Sequence, residues 1–155
     1  MSPLILVTGA GGFIGGQLVK YLEQKGAQIR AVDRKPFDGW YFCSSSAENR
    51  VCDLQKLESC YQVVRGVDEV YNLASDMGGM GFIENNKALC MLSVLINTHL
   101  LAAARDNKVN RFFFSSSACV YPDYRQQGRR LRGLRNPTRI QPCQRTAANG
   151  KSCLV

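Results

Sequence analysis

Gly9, Gly12 and Gly15 recur at three-residue spacing in a stretch that reads L-I-L-V-T-G-A-G-G-F-I-G, and a carboxylate, Asp33, follows a little under twenty residues later. Glycine is needed where a chain must turn tightly, admit a pyrophosphate to its backbone N–H groups and let a helix pack closely on a strand. The N-terminus of that helix brings the positive end of its dipole to the same point. An acid at the end of the next strand accepts from an adenosine ribose 2′-hydroxyl. Together these residues could hold a dinucleotide, and Asp33 favours NAD over NADP. Arg34 and Lys35 directly after it are residues that greet a 2′-phosphate, and Asp33 read by itself is also an ordinary solvated turn acid.

Those groups need elements to position them. Residues 4–7 form the short continuous apolar run of a strand buried on both faces of a parallel sheet. Leu18, Val19, Tyr21 and Leu22 then continue a helical stripe up to Gly26, which reads as a C-cap. Residues 28–32 alternate and end at Asp33. Residues 36–49, rich in Ser and holding the only tryptophan, Trp40, read as a loop over the adenosine edge of the site. Residues 51–54 read as a short strand whose Asp53 caps the following turn or helix. A helix with Leu57, Cys60, Tyr61 and Val64 on one face comes next, then a fourth strand over 67–74. The longest helical pattern covers 85–104, with Leu89, Leu92, Leu95, Ile96, Leu100 and Leu101 apolar at helical spacing, and residues 110–114 begin another buried strand. Strands alternating with helices predict an α/β fold: a Rossmann-like, doubly wound parallel sheet over residues 1–124, incomplete, with ligands beyond the carboxyl ends of its strands.

The composition fits a domain of that kind. At 155 residues and 45% apolar the chain is long enough for one real core. No apolar run reaches membrane-spanning length and no basic-then-apolar leader opens the chain, so a cytoplasmic protein is expected. The cysteines (Cys43, Cys52, Cys60, Cys90, Cys119, Cys143, Cys153) are odd in number, irregularly spaced and without C-x-x-C, which indicates neither a disulfide framework nor a metal site. The net charge of +8 resembles a nucleic-acid signal until it is located. Eight of the 20 Lys and Arg residues follow Tyr124 while all 12 acids precede it, so residues 1–124 balance and the excess belongs to a basic tail, 125–155, expected to have no stable core.

Two further stretches could do chemistry. Ser75-Asp76-Met77-Gly78-Gly79-Met80-Gly81-Phe82 follows the fourth strand, a glycine-rich loop with soft apolar contacts suited to closing over a sugar. Ser115-Ser116-Ser117-Ala118-Cys119-Val120-Tyr121-Pro122 lies at the carboxyl end of the last strand, where small hydroxyls reach a nicotinamide and a substrate hydroxyl. Cys119 serves as an acid or base if its pKa is lowered; by sequence alone a buried structural thiol is the plainer reading. His99, the only histidine, has no carboxylate partner placed by sequence and reads as a packed or surface residue.

The G-x-x-G-x-x-G spacing after Thr8 resembles the extended short-chain dehydrogenases/reductases, and D-M-G-G-M-G-F-I with S-S-A-C-V-Y-P is similar to the GDP-mannose 3,5-epimerase family, over the first part of a family member. The resemblance implies NAD as cofactor, held by Gly9, Gly12, Phe13, Ile14, Gly15, Asp33, Asp53, Leu54 and Ala74, with the Asp53-Leu54 pair at the adenine amino group. It implies GDP-mannose as substrate, converted to GDP-L-galactose through a keto intermediate, with Gly78, Ser117, Ala118 and Cys119 lining the sugar and Cys119 one of the acid/base pair. It also implies a homodimer contact through the long helix. The family's Y-x-x-x-K pair should follow Cys119, yet Arg125 stands four after Tyr121 and Gly128 four after Tyr124. The tail is therefore expected to be truncated or out of frame: read from the last base of each codon, residues 135–153 can encode E-S-D-A-Y-P-A-M-P-E-D-G, one free position, then E-W-E-K-L, close to the family's continuation. Three functions stay open: an epimerase whose present chain is inactive, a nucleotide-binding module without turnover, and a basic-tailed nucleic-acid binder.

Overall fold

Among the described residues five strands form one parallel sheet around β1 (Leu4–Thr8), in the order β3-β2-β1-β4-β5. The structure is a computed structural model that describes residues 2–75, 85 and 87–116. Strand β2 (Gln28–Asp33) flanks β1 on one side and β4 (Glu69–Asn72) on the other, with β3 (Glu48–Val51) and β5 (Arg111–Phe114) outside them. All four pairings are parallel, and Thr8 is level with both Val32 and Asn72 at the carboxyl edge.

The continuous apolar run of β1 follows from cover on both faces. Successive strand residues point to opposite sides. Ile5 and Val7 pack with Ile29, Ala31 and Val19, the last from α1 (Phe13–Gln24). Leu6 packs with Val32 and Val70 against Cys60, Val63 and Val64 of α2 (Leu57–Val64) and Ile96, Leu100 and Ala103 of α3 (Lys87–Asp106). Helix α1 ends as expected at Gly26, whose φ of +73° suits glycine; its N–H donates to Glu23 O at 2.9 Å and that of Ala27 to Leu22 O at 3.2 Å.

Several elements depart from expectation. The third strand is Glu48–Val51 and not 51–54, because β2 stops at Asp33 and Val51 is its last partner in the register. The fourth is confined to Glu69–Asn72. Strand β5 was expected to be buried, but as the outer strand of the described sheet it leaves Phe113 and Phe114 exposed, Phe113 resting against the Tyr71 ring. Helical periodicity overstated burial at Tyr21 and Leu57, which are exposed. In α3, Ile96 and Leu100 are buried while Met91, Val94, Leu95 and Leu101 face out; the side chain of Leu89 lies outside the described residues.

Arg30 lies in β2 and is buried, an arrangement the alternating pattern conceals. Its Nη1 donates to the carbonyls of Val63 and Arg65 at 2.7 and 2.8 Å, closing the end of α2, and its Nε donates to Glu48 Oε2 at 2.7 Å. Burial pushes the Glu48 carboxyl up, but the guanidinium groups of Arg30 and Arg50 outweigh it and hold it below the usual range. That contribution to stability is present above the ordinary carboxylate pKa and is lost as pH falls through the depressed one. Replacing Arg30 by Met strands a buried carbonyl at Val63 and a part-buried one at Arg65, and urea unfolding should show a loss of about 2 kcal/mol, with a shallower decline of stability on acidification. Thiol reactivity checks the core separately. Burial pushes the Cys60 thiol up to about 12, and its Sγ donates to Leu54 O. Iodoacetamide at neutral pH should therefore label exposed Cys43 and spare Cys60 until the chain is unfolded, as read by peptide mass spectrometry.

Candidate dinucleotide-binding site

The glycine turn is shaped by what surrounds each glycine. Gly9 has φ +70°, and a Cβ there would stand 2.7 Å from Leu73 O. A Cβ on Gly15 would stand 2.1 Å from Gly9 O, so α1 reaches β1 only without a side chain. Gly12 differs: within 4 Å a Cβ would meet only Gly9 O, at 3.3 Å, and the space above it is open. Gly12 is also the N-cap of α1, with no side chain capping it and no acid in the first turn. The first N–H groups of a helix have no intrahelical partner, so this end offers donors to an anion. Phe13 and Ile14, its first residues, are 64% and 70% exposed.

Asp33 ends β2 and is 8% exposed. Its Oδ2 accepts from the N–H of Gly11 at 2.9 Å and its Oδ1 from that of Lys35 at 3.0 Å, which fixes the carboxylate against the turn. Each oxygen retains acceptor capacity. Asp33 lines a cleft of about 160 Å³ with Gly9, Gly12, Asp53, Leu54 and Ala74, six of the residues expected to hold a cofactor, brought together from the carboxyl ends of β1 to β4. Asp53 caps a turn and not α2: its Oδ1 accepts from Gln55 N at 3.0 Å, while Lys56 is the helix N-cap. A dinucleotide fits this set, since the open Gly12 would be filled by any larger residue and the buried carboxylate is held rigid by neutral donors.

The cleft also gathers Cys52, Leu73 and, from α3, Ile96, which the sequence did not single out for a site, together with Ser75 and, at its Asp33 end, Arg34 and Lys35. Ile96 gave only a core signal, because a cleft wall and a core share one apolar pattern. In the 36–49 loop, Trp40 is packed on Gly11 of the glycine turn, and its indole N–H donates to Lys35 O at 2.8 Å. The structure places His99 half-buried on α3 with Nδ1 unpartnered among the described residues. The chain's one Tyr-x-x-x-Lys spacing, Tyr21 to Lys25, lies on α1 with the ammonium 5.6 Å from the centre of an exposed ring, and neither residue lines the cleft. Gly78, Ser117, Ala118, Cys119 and the 125–155 tail lie outside the described residues. Among the described residues no cluster of His, Cys, Asp and Glu could hold a metal, and no helix is long and apolar enough to cross a membrane.

Comparison with known proteins adds to this geometry. GDP-mannose 3,5-epimerase 1 of Oryza sativa subsp. japonica is 44% identical over 123 residues, which are 79% of this chain and 32% of the relative. GDP-mannose 3,5-epimerase of Arabidopsis thaliana is 42% identical over 126 residues, 79% of this chain and 33% of the relative. The chain thus spans about a third of the length of these relatives. Among solved structures, MoeE5 in complex with UDP-glucose and NAD superposes with a TM-score of 0.66 at 29% identity, over 76% of this chain and 38% of that one. Residues 5–146 match the model of the NAD dependent epimerase/dehydratase family, and with its parallel sheet and glycine turn the chain belongs to that family.

Proposed function

We propose that the chain is the cofactor-binding part of a sugar-nucleotide epimerase acting on GDP-mannose. The observation that carries this reading is the convergence in one cleft of the open Gly12, the buried Asp33 carboxylate and the Asp53-Leu54 pair, from three different strand ends. Phe13, Ile14 and Gly15 offer backbone N–H groups to the pyrophosphate at the uncapped start of α1. Asp33 accepts from the adenosine ribose, Asp53 and Leu54 meet the adenine, and Ala74 closes the wall. NAD, when bound, supplies reversible hydride acceptance at a sugar carbinol, which makes the neighbouring C–H acidic. In this reading Gly78, Ser117 and Ala118 line the hexose and Cys119 is one of the acid/base pair that inverts C3 and C5 on either side of the ketone, taking GDP-mannose to GDP-L-galactose. The identity to plant GDP-mannose 3,5-epimerases supports that assignment.

The same reading has the 155 residues bind without converting. Neither tyrosine after Cys119 has a lysine four residues on, and Tyr21-Lys25 is away from the cleft. A homodimer through α3 belongs to it too, supported by exposed Met91, Val94, Leu95 and Leu101 at helical spacing.

Calorimetry should find saturable NAD binding, tighter than NADP, and Asp33→Asn should weaken NAD by roughly tenfold or more, the scale of a hydrogen bond to a charged group. Absence of saturable NAD binding would remove the reading. Incubation with GDP-mannose in D₂O should leave C3 and C5 without deuterium; exchange at either carbon by this chain alone would show that the proton-transfer groups lie elsewhere than assigned.

A further inference from the structure

Both residues whose N–H groups hold the Asp33 carboxylate, Gly11 and Lys35, are tied through their own carbonyls to Tyr41 and Trp40. Gly11 donates its N–H to Asp33 Oδ2 at 2.9 Å and accepts at its carbonyl from Tyr41 N–H at 3.0 Å. Lys35 donates its N–H to Asp33 Oδ1 at 3.0 Å and accepts at its carbonyl from the Trp40 indole N–H at 2.8 Å. Four hydrogen bonds and the Trp40-Tyr41 link thus close a ring through the carboxylate. The indole, 8% exposed, also covers Gly11: a Cβ there would stand 2.8 Å from Trp40 Cδ1. Tyr41 is pinned in turn, its hydroxyl accepting from Gln17 Nε2 at 2.8 Å and its ring meeting Phe13 edge-on with centroids 4.8 Å apart.

We infer that Trp40 is a positioning residue for ribose recognition, clasping the turn at Gly11 and Lys35 so that the Asp33 carboxylate presents its free lone pairs to a ribose 2′-hydroxyl. The inference rests on the proposed nucleotide role of the cleft. A buried carboxylate held by two oriented donors needs no rearrangement on binding, and preorganisation of that kind is what discriminates a hydroxyl from its absence. Trp40 touches no ligand in this arrangement; it acts through Gly11 and Lys35.

The test compares ADP with 2′-deoxyADP on the full chain by calorimetry. The wild type should prefer ADP by roughly tenfold. Trp40→Phe, which keeps a ring on Gly11 and loses the bond to Lys35, should reduce that preference by about threefold or more and speed amide exchange at Gly11 and Lys35. In an Asp33→Asn background the same substitution should change ADP affinity by less than about twofold, because residues acting through one contact are not additive. An unchanged preference beside a uniform loss of affinity would overturn the inference and leave the cleft assignment intact. A wild type that binds neither nucleotide would overturn both. If Trp40→Phe fails to fold, replacing Trp40 by 3-benzothienylalanine, which keeps the shape of the indole and lacks only its N–H donor, should reduce the preference likewise, and an unchanged preference would overturn the clasp.

Discussion

The structure depends on a backbone crossing that has no room for a side chain. At the end of β1 the Gly9 peptide is pressed from two directions, by Leu73 after β4 and by Gly15 at the start of α1, and a Cβ on Gly9 or Gly15 would stand 2.7 or 2.1 Å from a carbonyl oxygen. Interiors this close cannot absorb a methyl group without moving an element. If α1 moved outward, its uncapped N-terminus would leave the cleft. The crossing is held from below: the Thr8 hydroxyl donates to Asn72 Oδ1 at 2.7 Å and the Thr8 carbonyl accepts from Leu73 N–H at 3.2 Å. Asn72 Nδ2 then donates to Asn97 Oδ1 and so ties the crossing to α3.

Polar burial in this sheet is concentrated where the strands end. Thr8, Asp33 and Asn72 are buried at the carboxyl edge, each with a named partner, whereas the body of the sheet is apolar on both faces. Arg30 is the exception within the body, and it is satisfied by the last carbonyls of α2 and by Glu48. An unpaired polar group in such an interior costs more than a hydrogen bond returns. The edge can carry polar chemistry because the parallel register sets Thr8, Val32 and Asn72 level, leaving several backbone ends near one another to act as partners.

The sequence disclosed what rests on local pattern and hid what rests on assembly. Gly9, Gly15 and Asp33 were legible because their roles follow from a turn and a strand end, and α2 because its apolar spacing is complete over Leu57–Val64. The limits of β3 were not, since its stop at Val51 is imposed by its partner β2 and by nothing local. Leu57 and Tyr21 fit an apolar stripe yet stay exposed, because periodicity reports a face and cannot report whether anything covers it. Trp40 was read as a loop residue near the adenosine edge; its grip on Gly11 and Lys35 depends on a loop returning across the glycine turn, for which no spacing rule exists.

Tyr21 and Lys25 show the same distinction at the level of chemistry. Residues four apart on a helix share a face, which is why a tyrosine and a lysine at that spacing can lower a phenol's pKa by proximity. On α1 the spacing is present and an ammonium approaches the ring, but Tyr21 is exposed and neither residue lines the cleft. The spacing becomes catalytic only on an element that a sheet sets beside its carboxyl edge. The cleft is lined by the ends of β1, β2 and β3 and the start of α1, all within the first 54 residues, together with the wall at Leu73 to Ser75. Beyond β5 the sequence holds Cys119, and neither tyrosine that follows it has a lysine four residues on. The cleft is thus built from strand ends early in the chain, and a tyrosine-lysine spacing elsewhere adds nothing to it unless an element carries the pair to the same edge.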